Sequence, residues 1–561
     1  MGMRFMSIVA AVVTSCAAFA ADNIVTIAGG GSSRTDGPAA SANFFFPEGL
    51  ATDAAGNIYI GDSQHYRICK LTPDGNLTTI AGTGLSGFSG DGVPALTSQL
   101  SSPVSLALDA AGNIYFADQY SPRVRKIDTA GMLTTLAGGG DVDATGTGEA
   151  ATSVRFSNIV AVALNAAGDV FFLDGDLSRL FKITAADGTL HLIAGTGTPA
   201  FSGDGGPASA AALNGPADLA IDGAGNIFIA DSNSSRVRRI DAASGTINTI
   251  AGNEGFDFGG DGGPATAASL DFPTALALDA AGNLYISDSN HGRIRRVDAA
   301  TQIITTIAGN GVKSFYGDGG PALNASLLLP FGMAVDPAGS LLIADTYNNR
   351  IRKIGAGLTS SYDTDADGFP DAIETAAGSS PSDAGSTPFS GQMLSKIVEM
   401  NLKKMSVALN FGKANSDKIT AQGGIDVPDG LVVSGQSVLL DIGGVVAAFS
   451  LDAKGKSTPK GVNSFSLSTK PKNGGLTFNA TLNKGNFAAA MAVENLSNVD
   501  TKGTFVVVPI ALYFNNTVYL EIASFSYKAK AGKTAKAGSG GGGGGAALPG
   551  SAPANGGKLT R

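Results

Sequence analysis

The residues Asp363-Thr-Asp365-Ala-Asp367-Gly368-Phe369-Pro-Asp371-Ala-Ile-Glu374 put carboxylates at positions one, three, five, nine and twelve of a twelve-residue stretch, with glycine at six. Five carboxylates this close repel one another strongly unless a cation lies among them. Calcium is a hard cation that takes about six to eight oxygen ligands, and this spacing wraps a loop around it. Gly368 permits the sharp turn, Phe369 offers its backbone carbonyl, and Glu374 closes the shell with both oxygens. The expected ligands are therefore Asp363, Asp365, Asp367, Phe369, Asp371 and Glu374, with calcium as the cofactor. A solvated acidic linker is the plainer alternative. Pro370 inside the loop and the Gly/Ser/Pro residues after it argue against a sensor that opens a groove, and for an ion that stiffens a join.

A second polar set recurs upstream. Asp91, Asp204, Asp261 and Asp318 each stand in a Gly-Asp-Gly-x-Pro-Ala phrase, with Asp36 shifted by one position. His65 and His291 occupy equivalent places, where other copies have Ser121, Leu177, Ser234 and Asn348. One reading is a ring of acidic and polar groups suited to a cation or polar ligand. The other is that Asp-Gly phrases are favoured turns, repeated because one structural unit repeats. The pairs Asp62/Arg67 through Asp345/Arg350 occur in every copy. One active site needs only one set, so these read as charge-assisted hydrogen bonds within each unit. No converging histidine set and no Gly-x-Ser-x-Gly context is visible.

These groups sit on a repeat. The first copy reads Pro47-Glu-Gly-Leu-Ala-Thr-Asp53-Ala-Ala-Gly56-Asn57-Ile-Tyr-Ile-Gly-Asp62, and later copies start at Pro103, Ile159, Pro216, Pro273 and Pro330. A nearly constant step marks an array whose units cannot bury their faces alone. Each copy reads as four short strands, the first ending at an Asp-x-x-Gly-Asn turn, which is the pattern of a propeller blade. Alanine recurs in strand one (Ala51, Ala107, Ala163, Ala220, Ala277, Ala334), as expected where strands crowd an axis. The sixth copy lacks a fourth strand, and Asn23-Ile-Val-Thr-Ile-Ala28 is an orphan strand able to complete it. The expectation is an all-β chain whose six blades close non-covalently, with two–three turns and links sharing one face.

Composition agrees. Of 561 residues 78 are Gly and none is Trp, while only 15% are charged, which suits short strands and tight turns. A net charge of -9 disfavours nucleic-acid binding. With 3 His and 2 Cys there is no zinc cluster or disulfide framework. Arg4 followed by an apolar run, with Ala18-Phe-Ala20 as a cleavage site, reads as an export signal too short to span a bilayer. Val13-Thr-Ser-Cys16 is similar to a bacterial lipoprotein box, which would lipidate Cys16 instead. Either way the chain leaves the cytoplasm, and Cys69 is a small buried filler.

The repeated phrase Asp-x-x-Gly-Asn-x-Tyr-x-x-Asp…Arg-Ile-x-Lys resembles the NHL repeat of exported bacterial proteins, which implies a six-bladed propeller over residues 22–356. The third copy departs from it: Ile159 replaces proline, Asn165 replaces aspartate, and Gly148-Glu-Ala150 replaces Gly-Gly-Pro. The acidic loop resembles an EF-hand loop and, more closely, thrombospondin type 3-like calcium segments.

Downstream, Ser437–Ile442, Val445–Leu451, 476–482 and 504–510 read as strands, and Asn515-Asn516 as a two-residue hairpin turn. The expected order is a signal peptide at 1–20, the propeller at 22–356, a calcium-binding linker at 357–391, a C-terminal β-sandwich at 392–528 and a mobile Lys/Gly-rich tail at 529–561. The function expected is an exported, non-enzymatic scaffold for a polar ligand or protein partner. Its alternatives are a calcium-dependent lyase or hydrolase with an axial metal, and a cell-surface structural component or lipoprotein. Here the candidate ligand face comprises His65, Asp91, Asp204, Asp261, His291 and Asp318.

Overall fold

The computed structural model describes residues 22–355 and 358 and, further on, strands between 396 and 538 together with residues 456 and 463. The export signal, the lipoprotein box and the whole acidic loop Asp363–Glu374 lie outside the described residues. By its contacts the chain divides into two units, 1–397 and 398–561.

In the first unit, six antiparallel sheets follow one another, each with four principal strands. The first consists of Pro47–Thr52, Ile58–Asp62, Arg67–Leu71 and Asn76–Ala81. Every second strand is buried at all five of its positions, as in Ile227–Asp231, so it reads as an unbroken apolar run rather than an alternation. Each first strand ends at the expected turn. Asp53 Oδ1 accepts the backbone N–H groups of Ala55 and Asn57 at 3.0 and 2.9 Å, while Gly56 takes a positive φ of 80°.

The orphan strand docks as its pattern foretold. Asn23–Gly29 pairs antiparallel with Arg350–Gly355, Ile24 opposite Ile354, and completes the sheet of Gly332–Val335 and Leu341–Asp345. The six first strands neighbour one another in a cycle, the sixth beside the first. Across that junction the Thr346 hydroxyl donates to the Pro47 carbonyl at 2.8 Å, as Ser63 donates to Pro103 and Ser289 to Pro330 between other sheets. The approach is so close at Gly332 that a Cβ there would lie 1.7 Å from the Glu48 carbonyl oxygen. Apolar packing joins the same two sheets: Ala28, Leu342 and Ile351 share a core cluster with Leu50, Ile60 and Cys69. Cys69 is fully buried, which pushes its thiol up to about 12 and leaves it an inert filler.

The links protect sheet edges. Val93–Pro94 pairs with the outermost strand Met132–Ala137 of its own sheet, and Gly37–Pro38 pairs with Asn76–Ala81. Pro207, Pro264 and Pro321 make single bridges at the same place in later sheets. A proline-bearing cover without a free N–H donor on its outer side closes the edge to further pairing. The buried alanine that follows, such as Ala208 or Ala265, anchors the cover in the core.

In the second unit the described strands bond into one eleven-stranded sheet. The two separately bonded sheets of a sandwich are not found among the described residues. Instead the ends of the sheet approach each other, through a bridge from Lys456 to Ser466 and a 3.1 Å bond from the Phe465 N–H to the Ser457 hydroxyl. Stacked Phe449, Phe465 and Phe478 pack at this seam. The hairpin is as expected, with Phe514 opposite Thr517. One correction concerns the tail. Thr534–Gly538 is a strand that pairs with Ser406–Asn410 on one side and with Lys528 on the other, so it lies inside the sheet.

Candidate functional site

The link aspartates are engaged, not free. On the third strand of four sheets stands an Arg-x-Arg pair whose second member, Arg125, Arg238, Arg295 or Arg352, is fully buried. Asp204 Oδ1 accepts from Arg238 Nη2 at 2.6 Å, Asp261 from Arg295 at 2.8 Å, Asp91 from Arg125 at 3.1 Å and Asp318 from Arg352 Nε at 3.2 Å. The Arg238 guanidinium also donates to the carbonyls of Ala212 and Ser202. Asp204 is held below its usual carboxylate range: burial opposes this, but the bonds from Thr249 and Arg238 outweigh it. Asp36 accepts the Thr79 N–H at 2.8 Å. The recurring acid is thus the cap of a buried cation.

The expected Asp–Arg pairing needs correcting at most copies. Only in the first sheet does the first arginine serve, Arg67 Nε reaching Asp62 at 2.8 Å, because Cys69 replaces the inner arginine there. Elsewhere the second arginine faces the strand-two aspartate, Arg295 lying 3.1 Å from Asp288 and Arg352 3.5 Å from Asp345. The first arginines, Arg123, Arg236, Arg293 and Arg350, instead lie against the rings of Phe88, Phe201, Phe258 and Phe315 at 4.1, 3.9, 3.9 and 4.0 Å. In the third sheet Phe181 takes the inner position and packs with Phe156 and Phe172, an apolar replacement of the ion pair.

His65 and His291 take the same turn position, each with Nδ1 2.9 Å from the strand-two aspartate. The links lie against these turns, as bonds from Asn348 to the Ser314 carbonyl and between His291 and the Phe256 carbonyl show. The structure therefore spreads the six residues of the expected face over five sheets, with Asp261 and His291 sharing the fifth through Arg295 and Asp288, and it does not join them into one cluster.

What breaks the repeat is elsewhere. Glu48 stands where other copies have Val104, Val160, Ala217, Thr274 and Phe331, and Asp218 where they have Gly49, Ser105, Ala161, Ala275 and Gly332. Both lie on first strands, in the first and fourth sheets, which are opposite in the six-sheet cycle. Burial pushes Glu48 up to about 8 and Asp218 up to about 7. Asp218 accepts the Leu276 N–H of the next sheet at 2.7 Å, and Glu48 has no hydrogen-bond partner among the described residues. Nearby, Phe46 and Phe331 pack edge-on against Tyr347, whose phenol is raised by burial and then by the Glu48 charge. Sequence reasoning missed both carboxylates. The signal was available: a charge present in one copy, where five others are apolar or small.

Because both groups bind protons more tightly when folded, their contribution to stability is fully present below about pH 4 and is lost as pH rises through about 7 to 8. Denaturant midpoints should fall from pH 5 to pH 8.5, and Glu48→Gln with Asp218→Asn should flatten that fall. An unchanged slope in the double variant would refute the assignment.

Comparisons with known proteins bear on the repeat. A family model matches one copy of it. Residues 213–240 match the NHL repeat. The chain is 29% identical over 338 residues to NHL repeat-containing protein 2 of Bos taurus, covering 55% of this chain and 46% of that one. It is 28% identical over 323 residues to the chloroplastic protein Suppressor of Quenching 1 of Arabidopsis thaliana, covering 55% of this chain and 30% of that one. The chain thus spans less than half the length of these curated relatives. Among solved structures, a Bacteroides thetaiotaomicron protein of unknown function is similar at 22% identity and TM-score 0.46, covering 60% of this chain and 76% of that one. An auxiliary nutrient binding protein of the same organism is similar at 17% identity and TM-score 0.45, covering 59% and 76%. No helix among the described residues is long and apolar enough to cross a membrane.

Proposed function

We propose that this chain is an exported, non-enzymatic binding or scaffolding protein, a six-bladed NHL-repeat propeller joined through a calcium-stiffened loop to a C-terminal β module. The observation that carries the reading is the division of labour among acids. Repeated link carboxylates cap buried arginines, whereas Glu48 and Asp218, each present in one copy, stand on opposite inner strands. Two carboxylates that hold protons near neutral pH favour a cationic group of a ligand or protein partner, which would displace those protons. Export rests on the leader residues and the calcium role on the spacing of Asp363 to Glu374.

Calorimetric titration of the full chain with calcium tests this. One site should appear and should vanish in the Asp365→Ala/Asp367→Ala variant. The second reading, a metal-dependent lyase or hydrolase, is favoured by the same inner-strand carboxylates. It wins if a further calcium site appears that survives those substitutions and is lost in Glu48→Gln/Asp218→Asn. A titration with no calcium site at all overturns the calcium role.

A further inference from the structure

His291 differs from the other two histidines in having both ring nitrogens against acceptors. Nδ1 lies 2.9 Å from Asp288 Oδ1 and Nε2 lies 2.8 Å from the backbone carbonyl oxygen of Phe256. A carboxylate and a carbonyl only accept, so both contacts are hydrogen bonds only when both nitrogens carry protons. The neutral ring has a single N–H. The charge-assisted bond to Asp288 retains it, and the Phe256 carbonyl then faces a lone pair. His65, at the equivalent turn, holds Asp62 through Nδ1 but has no partner at Nε2, and His191 meets the Thr189 hydroxyl, which can donate or accept.

The Phe256 carbonyl belongs to the link that precedes the fifth sheet. Phe256 itself is 68% exposed, while Phe258 packs edge-on against His291 at 5.7 Å and lies over Arg293. Around the imidazole, Asp288 comes from its own turn and Asp271 from the segment before the first strand. Arg293 donates to the His291 carbonyl at 3.0 Å, and Arg295 donates to Asp288 Oδ2 and to Asp261. Burial lowers the pKa of His291, and the bonds to Asp288 and to the Phe256 carbonyl outweigh it, leaving it above the ordinary 6.5.

We propose that His291 is a pH-operated latch for the link tip around Phe256: the charged ring pins the tip to the turn of the fifth sheet, and loss of the Nε2 proton releases it. The bond is present below the ordinary imidazole range and is lost as pH rises through the folded value. Its consequence is control over how an exposed aromatic residue is presented on the face that carries the links.

The test uses the full chain with labelled histidine and needs no ligand. With three histidines in the chain, their ring signals can be assigned by substitution and titrated from pH 5 to 9. In parallel, limited chymotrypsin cleavage after Phe256 is normalised to a free peptide at each pH. The latch predicts His291 titrating above the ordinary imidazole value, and a cleavage rate rising about tenfold per pH unit up to that midpoint. His291→Asn should cleave fast at every pH, and His291→Gln serves as a second neutral variant should the first unfold. A cleavage rate independent of pH in the wild type, an equal pH dependence in either variant, or a His291 midpoint below 6.5 would overturn the proposal.

Discussion

Replacing Arg238 by alanine should destabilise the first unit by about 3–5 kcal/mol, the cost of breaking a buried ion pair by removing one partner. The side chain is fully buried and serves Asp204, two backbone carbonyls and, at 3.9 Å, Asp231. Its loss strands the buried Asp231 carboxylate and the Ala212 carbonyl, whereas Asp204, 34% exposed, still meets water. Asp231 already sits at about 6 because burial outweighs its bonds, so the variant drives it further toward the neutral acid. The third sheet shows the milder route, since Phe181 fills the equivalent place among aromatic neighbours and Asp174 is served by the backbone N–H of Ser157. Arg238→Met should therefore cost markedly less than Arg238→Ala, with a double-mutant cycle to Asp204→Asn giving a coupling of at least about 1 kcal/mol. Equal urea midpoints for the wild type and Arg238→Ala would refute the structural role of the pair.

Ile24→Asp should open the ring. Ile24 is fully buried, its N–H donates to the Gly320 carbonyl at 3.0 Å, and its side chain shares a core with Met333, Ile343 and Ile354. A carboxylate placed there must be desolvated without a partner, at a cost of roughly 4 kcal/mol or more. The strand would then dissociate and expose the edge of Arg350–Gly355. The readouts are loss of amide protection in residues 350–355 ahead of the other sheets, and concentration-dependent association through the bared edge. A variant that keeps wild-type protection at those residues would show that closure does not depend on this strand.

How much of this was legible beforehand differs by element. The Asp53–Asn57 turn, the buried second strands and the completing role of residues 23–29 follow from local pattern, because turn chemistry and periodicity are properties of neighbouring residues. The identity of the pairing arginine was not legible. Arg236 and Arg238 are two residues apart and chemically alike, and only the packed fold lays Arg236 on the Phe201 ring while Arg238 bonds Asp204. The same holds for Glu48 and Asp218, whose surroundings come from neighbouring sheets that are distant in sequence, Leu276 beside Asp218 and Gly332 and Tyr347 beside Glu48. Likewise the tail strand Thr534–Gly538 finds a pairing partner in Ser406–Asn410, more than a hundred residues distant.

By itself, then, the amino-acid order determined that this protein repeats a four-stranded unit, that its glycines and aspartates mark turns, and that one end supplies what the other lacks. The tertiary structure decided which charges are spent on holding sheets together and which stand apart. Burial and partner choice depend on distances between residues far apart in the chain, and those distances exist only once the sheets have packed.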